Sequence, residues 1–377
     1  MDADFAMSPD DYFSTTYAQA RGRFRDLALG AGARVTTLEL PGVEGADGEV
    51  LTTDIAWLGP HAPRGAVVVT SGTHGIEGYA GSGFQCWFLA QRAAGRLSEG
   101  VAVILVHALN PFGFSHGRRV NEHNIDLNRN FIDFSGSRPQ SAGYDGLHPA
   151  IVPAQWSGQV RIQADGVIRD AWNRLGERGF QEAVCLGQYS HPDGLFYGGI
   201  VPSWSHRTWR TCLEQLPRSI ELLAHVDIHT GLGPFGYGEI LHTLPKEVPS
   251  FGLASEWYQA LGLQAAGGRE SVATTVGGTM NHAVVELKNI PARVSVSVEF
   301  GTVEFRSMFE ALRADNWLWL HAPPEFSGAA EIRREISRCF YPADAGWRAS
   351  VVERCDEVLT RTLAGVKDRL GARYGTG

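Results

Sequence analysis

The sequence predicts an α/β fold, a single domain over residues 1–377 with a central mixed β-sheet flanked by helices. Three observations lead there. Short β-branched runs at 65–71, 101–106 and 222–228 lead into small or polar residues, as buried parallel strands do. Stretches with apolar residues at helical spacing separate and follow them. No internal repeat, low-complexity tract or linker divides the chain.

The elements follow in order. Residues 8–29 predict an opening helix, with Ser8 able to cap it and Pro9 suited to its first turn. Residues 35–40 and 50–55 predict strands around a glycine-rich turn. The strand at 65–71 is followed by a glycine-rich loop, a helix over 83–94 and the strand at 101–106. A helix is expected near 155–180, with Trp156, Val160, Ile168 and Trp172 on its apolar face, and another over 204–216. Strands return near 222–229, 237–243 and 293–300, and helices near 305–320, 328–338 and 347–371 close the chain. In the last helix Val351, Val352, Cys355, Val358, Leu359, Leu363 and Val366 recur at helical spacing and predict a buried stripe.

Composition narrows the function. With 44% apolar and 20% charged residues the chain reads as globular. A net charge of −8 without a basic run argues against nucleic-acid partners. No stretch of eighteen apolar residues predicts a membrane span. The N-terminus lacks the basic and apolar regions of a signal peptide, so a cytoplasmic location is expected. Five cysteines without a CxxC pair predict reduced thiols rather than a disulfide frame.

Chemistry-bearing residues gather where predicted strands run out, the place where open α/β sheets bind ligands. His74 and Glu77 share the loop after the strand at 65–71, with Gly72, Gly75 and Gly78 freeing its backbone. His229 follows the run at 222–228, and its mid-strand neighbour His225 is the competing choice. Two imidazoles and a carboxylate are a catalytic zinc ligand set that leaves a position open for water. Glu299 closes a third strand and predicts the base for that water, with Glu304 as the alternative. Zinc lowers the pKa of such a water from about 15.7 towards 7. Arg118, Arg119 and Arg129 add cations suited to carboxylates.

These motifs resemble the zinc metallocarboxypeptidase superfamily, peptidase family M14, and within it a bacterial DUF2817-like branch. HxxE is matched by His74 and Glu77, NPxG by Asn110, Pro111 and Gly113. The pattern RxN…DLNRNF is matched by Arg119, Asn121 and the run from Asp126 to Phe131. The resemblance implies a carboxypeptidase-like fold, of the phosphorylase/hydrolase-like kind, holding one Zn²⁺ per chain on His74, Glu77 and His229. It implies that Glu299 is the catalytic base, that Arg119 stabilises the oxyanion and that Asn128 and Arg129 hold a terminal carboxylate. Asp126 would orient the His74 ring.

The stretch near 135–221 departs from standard spacing and reads as a family-specific insertion that reaches over the site, with His191 in a site-lining segment. Tyr197 and Tyr237 are the candidates for a substrate-capping tyrosine. The related desuccinylase and aspartoacylase branch shares HxxE, DLNR and a downstream histidine. The expected activity is therefore zinc-dependent hydrolysis of an amide or peptide bond beside a free carboxylate, on a small peptide or an N-acyl amino acid. A non-catalytic binder of carboxylated ligands is the other reading; a serine hydrolase is disfavoured because no GxSxG lies near a strand end. Assembly into a homo-oligomer is left open.

Overall fold

The computed structural model describes residues 8–91, 95, 99–268, 271 and 276–372. One eight-stranded sheet runs in the order β1-β2-β4-β3-β5-β8-β6-β7. Its strands are β1 (Arg34–Glu44), β2 (Val50–Leu58), β3 (Gly65–Thr70), β4 (Val101–His107), β5 (Leu222–Gly231), β6 (Gly238–His242), β7 (Gln264–Ala265) and β8 (Ala292–Gly301). The central four, β4, β3, β5 and β8, are parallel, while β2 and β6 pair antiparallel on either side of them. The sheet is mixed, as the sequence predicts.

The helices are α1 (Tyr17–Gly30), α2 (Gly78–Ala90), α3 (Pro111–His116), α4 (Ala142–Ile151), α5 (Gly158–Cys185), α6 (Trp204–Glu214), α7 (Ser250–Tyr258), α8 (Asn281–Val285), α9 (Phe305–His321), α10 (Ala329–Phe340) and α11 (Ala345–Ala372). Alternate residues of a strand point to opposite faces, and β3 shows the result. Val67 and Val69 pack with α1, α2, α7 and α11, whereas Ala66 and Val68 pack with α6 and α8. A further apolar cluster joins α4 and α5 to α9 and α10. The stripe on α11 is buried along its whole length.

Several elements differ from expectation for local reasons. The opening helix is split into a 3-10 turn, Pro9–Tyr12, and α1, because Thr16 caps a new start by accepting from the Gln19 N–H. Helix α2 begins directly behind Glu77 rather than at 83; residues 92–94 of the expected helix lie outside the described residues. Trp156 precedes α5 and stacks on Trp317 and the Arg161 guanidinium, Val160 is exposed, and Gly176 breaks the helical dihedrals (φ 69°). Helix α4 has no clear sequence signal, since it contains Gly143, Gly146 and Pro149; it forms by burying Tyr144, Leu147, Ala150 and Ile151. All five cysteines are free, four of them buried. No helix among the described residues is long and apolar enough to cross a membrane.

The chain leaves β3 through α2 to β4 on one side, while β5 lies on the other side of β3. The strand order therefore reverses at β3, and a crevice opens beyond the carboxyl ends of β3 and β5.

Burial holds His107, His206 and His225 down to about 4 from their ordinary 6.5. The folded chain keeps these rings neutral where the unfolded chain takes up protons, so their contribution is complete above pH 6.5 and is lost as the pH falls towards 4. Urea midpoints measured at pH 7.5 and pH 5 should show the protein clearly weaker at pH 5. An unchanged midpoint would contradict this.

Candidate metal and substrate site

The crevice is filled by side chains that three strands bring together. His74 and Glu77 lie on the turn after β3, His229 lies near the end of β5, and Glu299 stands beside His229 in the parallel register of β5 and β8. The loop of His74 is seated on the arginine segment: the Gly75 N–H donates to the Arg119 carbonyl (3.0 Å) and the Ile76 N–H to the Arg118 carbonyl (2.8 Å). Asn110 caps α3 by accepting from the Gly113 N–H, and its amide also reaches the Arg119 carbonyl. A Cβ on Gly75 would stand 1.9 Å from the backbone of Gly113, so the closeness of these two turns depends on glycine.

Both imidazoles are held from behind. His74 Nε2 bonds Asp126 Oδ1 at 3.0 Å, and His229 Nε2 bonds Asp227 Oδ2 at 2.5 Å. Each ring thus turns Nδ1 towards Glu77, at 2.9 Å from one or other carboxylate oxygen. All three residues are buried, and their ligating atoms lie within 4.8 Å of one another. His74 Nδ1 faces a Glu77 carboxylate oxygen at 2.9 Å without a well-aligned hydrogen bond, a geometry that fits two donors converging on one cation. The charge balance agrees: Glu77, Asp126, Asp227 and Glu299 surround the rings, with Arg119 and Arg129 as the guanidiniums that act on them. A dication fits both the donor set and the surplus negative charge.

The electrostatics follow from burial and pairing. Burial drives the Glu77 carboxyl upward, but His74, His229 and Arg119 hold it well below the usual carboxylate range. Asp126 and Asp227 are held low in the same way, against burial, chiefly by Arg119 and by His229 respectively. Burial lowers the His229 imidazole, yet Asp227 and Glu77 raise it well above the ordinary value. Glu299 differs: burial and then the Glu77 charge push it up to about 7, while its Oε1 accepts from the Leu232 N–H (3.0 Å).

Arg119 lies across the site, donating to Glu77 Oε1 (2.9 Å) and Asp126 Oδ2 (3.1 Å). Asn128 accepts from the Met280 N–H, and its nitrogen stands 3.3 Å from His229 Nε2. Arg129 donates twice to the Cys185 carbonyl (3.0 and 2.6 Å) and once to that of Asn128 (2.9 Å). A cavity of about 110 Å³ is lined by His74, Arg119, Asn128, Arg129, His229 and Glu299, with Thr243, Thr279 and Ser297 among its other walls. Glu77 and Asp126 are buried behind that lining.

Other sequence candidates lie elsewhere. His225 is enclosed in the sheet between Thr70 and Ser295, and Glu304 is exposed at the start of α9. Tyr197 is buried against the side of the sheet that holds Trp209, Tyr237 is 49% exposed, and neither lines the cavity. His191 also lies outside the lining and pairs with Asp145. Two further residues contribute. Asp227 backs His229 and is itself held by the Thr70 and Thr73 hydroxyls; its signal was the Asp-x-His spacing, which places both side chains on one face of a strand. Phe196 lines the cavity with its ring under the Arg119 and Arg129 guanidinium carbons, 5.8 and 5.7 Å away.

A family model described as "Protein of unknown function (DUF2817)" matches residues 13–354. No curated protein matches the chain. Among solved structures, it is similar to carboxypeptidase A from Helicoverpa armigera, at 14% identity and a TM-score of 0.49, over 94% of this chain and 74% of that one. A metallopeptidase described as putative, from Shewanella amazonensis SB2B, is 15% identical with a TM-score of 0.42, over 81% and 93% of the two chains. A succinylglutamate desuccinylase from a Silicibacter species is 17% identical with a TM-score of 0.39, over 76% and 66%.

Two outcomes are expected. Gly75→Ala should destabilise the protein by about 2–3 kcal/mol in chemical denaturation, because backbone rather than a movable side chain meets the new methyl group. On the reading that His74, Glu77 and His229 take zinc, Asp227→Asn should weaken that binding about 10- to 100-fold in competition with a chelator, because the ring of His229 loses its carboxylate anchor. Wild-type affinity in that variant would remove Asp227 from the site.

Proposed function

The chain belongs to the DUF2817 family, and from the site this member assembles we propose a zinc-dependent hydrolase of amide or peptide bonds, acting beside a free carboxylate. The observation that carries the reading is the convergence of His74 Nδ1, His229 Nδ1 and the Glu77 carboxylate, with Glu299 in register beside His229. His74, Glu77 and His229 would hold one zinc ion per chain, which when bound supplies Lewis acidity towards the scissile carbonyl and the attacking water.

The protein's own groups do the rest. Glu299 takes the proton of the attacking water and returns it to the leaving nitrogen, so that a neutral amine departs. Arg119 donates to the oxygen that gains negative charge at the scissile carbonyl, a contact stronger in the transition state than in the ground state. Asn128 and the guanidinium hydrogens of Arg129 that are not committed to carbonyls receive the substrate carboxylate. Asp126 and Asp227 keep both imidazoles turned so that Nδ1 stays available. Phe196 shields both guanidiniums from water, which strengthens each charged contact in the cavity.

Deacylation of an N-acyl amino acid is a second reading, favoured by the small size of the cavity, about 110 Å³. A binder that lacks turnover is the remaining reading, and the same experiment addresses it. Elemental analysis should find zinc in the wild type, with the His74 and His229 share lost in His74→Ala and His229→Ala. Zinc-loaded protein is then offered blocked dipeptides and N-acyl amino acids in parallel. Glu299→Gln should keep its zinc and lose at least about 100-fold in kcat. Unchanged turnover in Glu299→Gln would remove the proposed base, and tight binding of a carboxylated ligand without turnover in the wild type would favour the binder.

A further inference from the structure

Outside the crevice, helix α4 and the loop after α5 bring together a second group of metal-type donors. Asp145 and His148 are three residues apart and share one face of α4. His191 and Asp193 face them from the loop. The rings of His148 and His191 stack with centroids 3.9 Å apart and planes 17° from parallel. His148 Nε2 lies 3.4 Å from Asp193 Oδ1, and His191 Nε2 lies 3.0 Å from Asp145 Oδ1. Among the described residues, the basic groups paired with these two carboxylates are the two imidazoles. His148 Nδ1 is buried without a hydrogen-bond partner.

We propose that His148, His191 and Asp193 form a second site for a divalent cation of the zinc class, with Asp145 orienting His191. Two imidazole nitrogens and carboxylate oxygen are donors that suit zinc rather than calcium or magnesium. One ligand atom from each of the three residues lies within 4.8 Å of the other two. Ligands of a four-coordinate zinc with bonds of about 2.0–2.1 Å stand roughly 3.4 Å apart. The cation therefore draws the group together by up to about 1.4 Å and turns the rings out of their stack. The side chains of His191 and Asp193, 27% and 46% exposed, have the freedom to make that move. The two carboxylates gain a counter-charge, and the Asp145–His191 pair becomes the carboxylate–histidine support that zinc ligands commonly have.

The role is structural. The loop that carries His191 and Asp193 also carries Phe196, which sits in the non-glycine left-handed region (φ 54°) with its ring against Arg119 and Arg129. Asn124 and Asn316 already hold this loop by its carbonyls at Pro192, Gly194 and Asp193. A cation between loop and α4 fastens that wall of the cavity from the outer side.

The test separates this site from the one in the crevice. The full chain carrying His74→Ala and His229→Ala is dialysed against zinc chloride, and bound zinc is counted. One zinc per chain should remain, and its addition should raise Tm. Adding Asp193→Asn or His191→Gln should abolish both the zinc and the Tm shift. In the otherwise wild-type chain, Asp193→Asn should lower the count from two to one, a readout that holds even if the His74/His229 variant folds poorly. Wild-type protein that binds a single zinc, lost with His74→Ala and unaffected by Asp193→Asn, overturns the second site and leaves the first intact. Zinc that persists through both Asp193→Asn and His191→Gln in the His74/His229 background also overturns it.

Discussion

Glu77 carries a carboxylate into a place that water does not reach, and a buried charge is tolerated only where partners replace its hydration. Those partners come from well-separated parts of the chain. His74 stands three residues earlier on the same turn, Arg119 arrives from the segment after β4, and His229 and the Thr230 N–H come from β5. None of them is useful unless β3, β4 and β5 lie side by side, which is why the reversal of strand order at β3 matters more than any one motif. The glycines that let the His74 turn settle onto the Asn110–Gly113 turn serve the same end, because the arginine segment is positioned from there.

The legible parts of the sequence were those in which neighbours along the chain remain neighbours in space. The buried strands, the stripe on α11 and the joint placement of His74 and Glu77 depend on short-range periodicity or on one turn. The grouping of Asp126, Asn128 and Arg129 is likewise local, since Asp126 accepts from the Asn128 N–H in a single 3-10 turn. The remaining features depend on facing partners. Asp227 acquires a role only once the His229 ring is seen to turn Nε2 towards it. Phe196 reaches the cavity through a left-handed backbone that carries no glycine to mark it. Helix α4, with two glycines and a proline, is stabilised by tertiary burial that outweighs weak intrinsic propensity.

The buried clusters divide the labour. The sheet sets His74, Glu77, His229 and Glu299 in register, while α5 and the 188–199 loop complete the cavity from outside. Arg313 is fully buried where these meet: it donates to the Ala150 and Ile151 carbonyls and to Glu310 and Asp165, joining α4 and α5 to α9. A wall tied to the scaffold through charge-assisted bonds is stiffer than one that rests on apolar contact alone.

Arg129 belongs to both divisions at once. Its guanidinium lines the cavity, yet three of its bonds go to backbone carbonyls, two of them to Cys185 at the very end of α5. Because a helix end leaves its last carbonyls unsatisfied, the same cation that lines the cavity also caps the long helix α5. Cavity wall and helix terminus are thereby written into one residue. The point at which α5 stops is pinned to the cavity. Any replacement of Arg129 that reshapes the cavity must supply a new partner for the end of that helix at the same time.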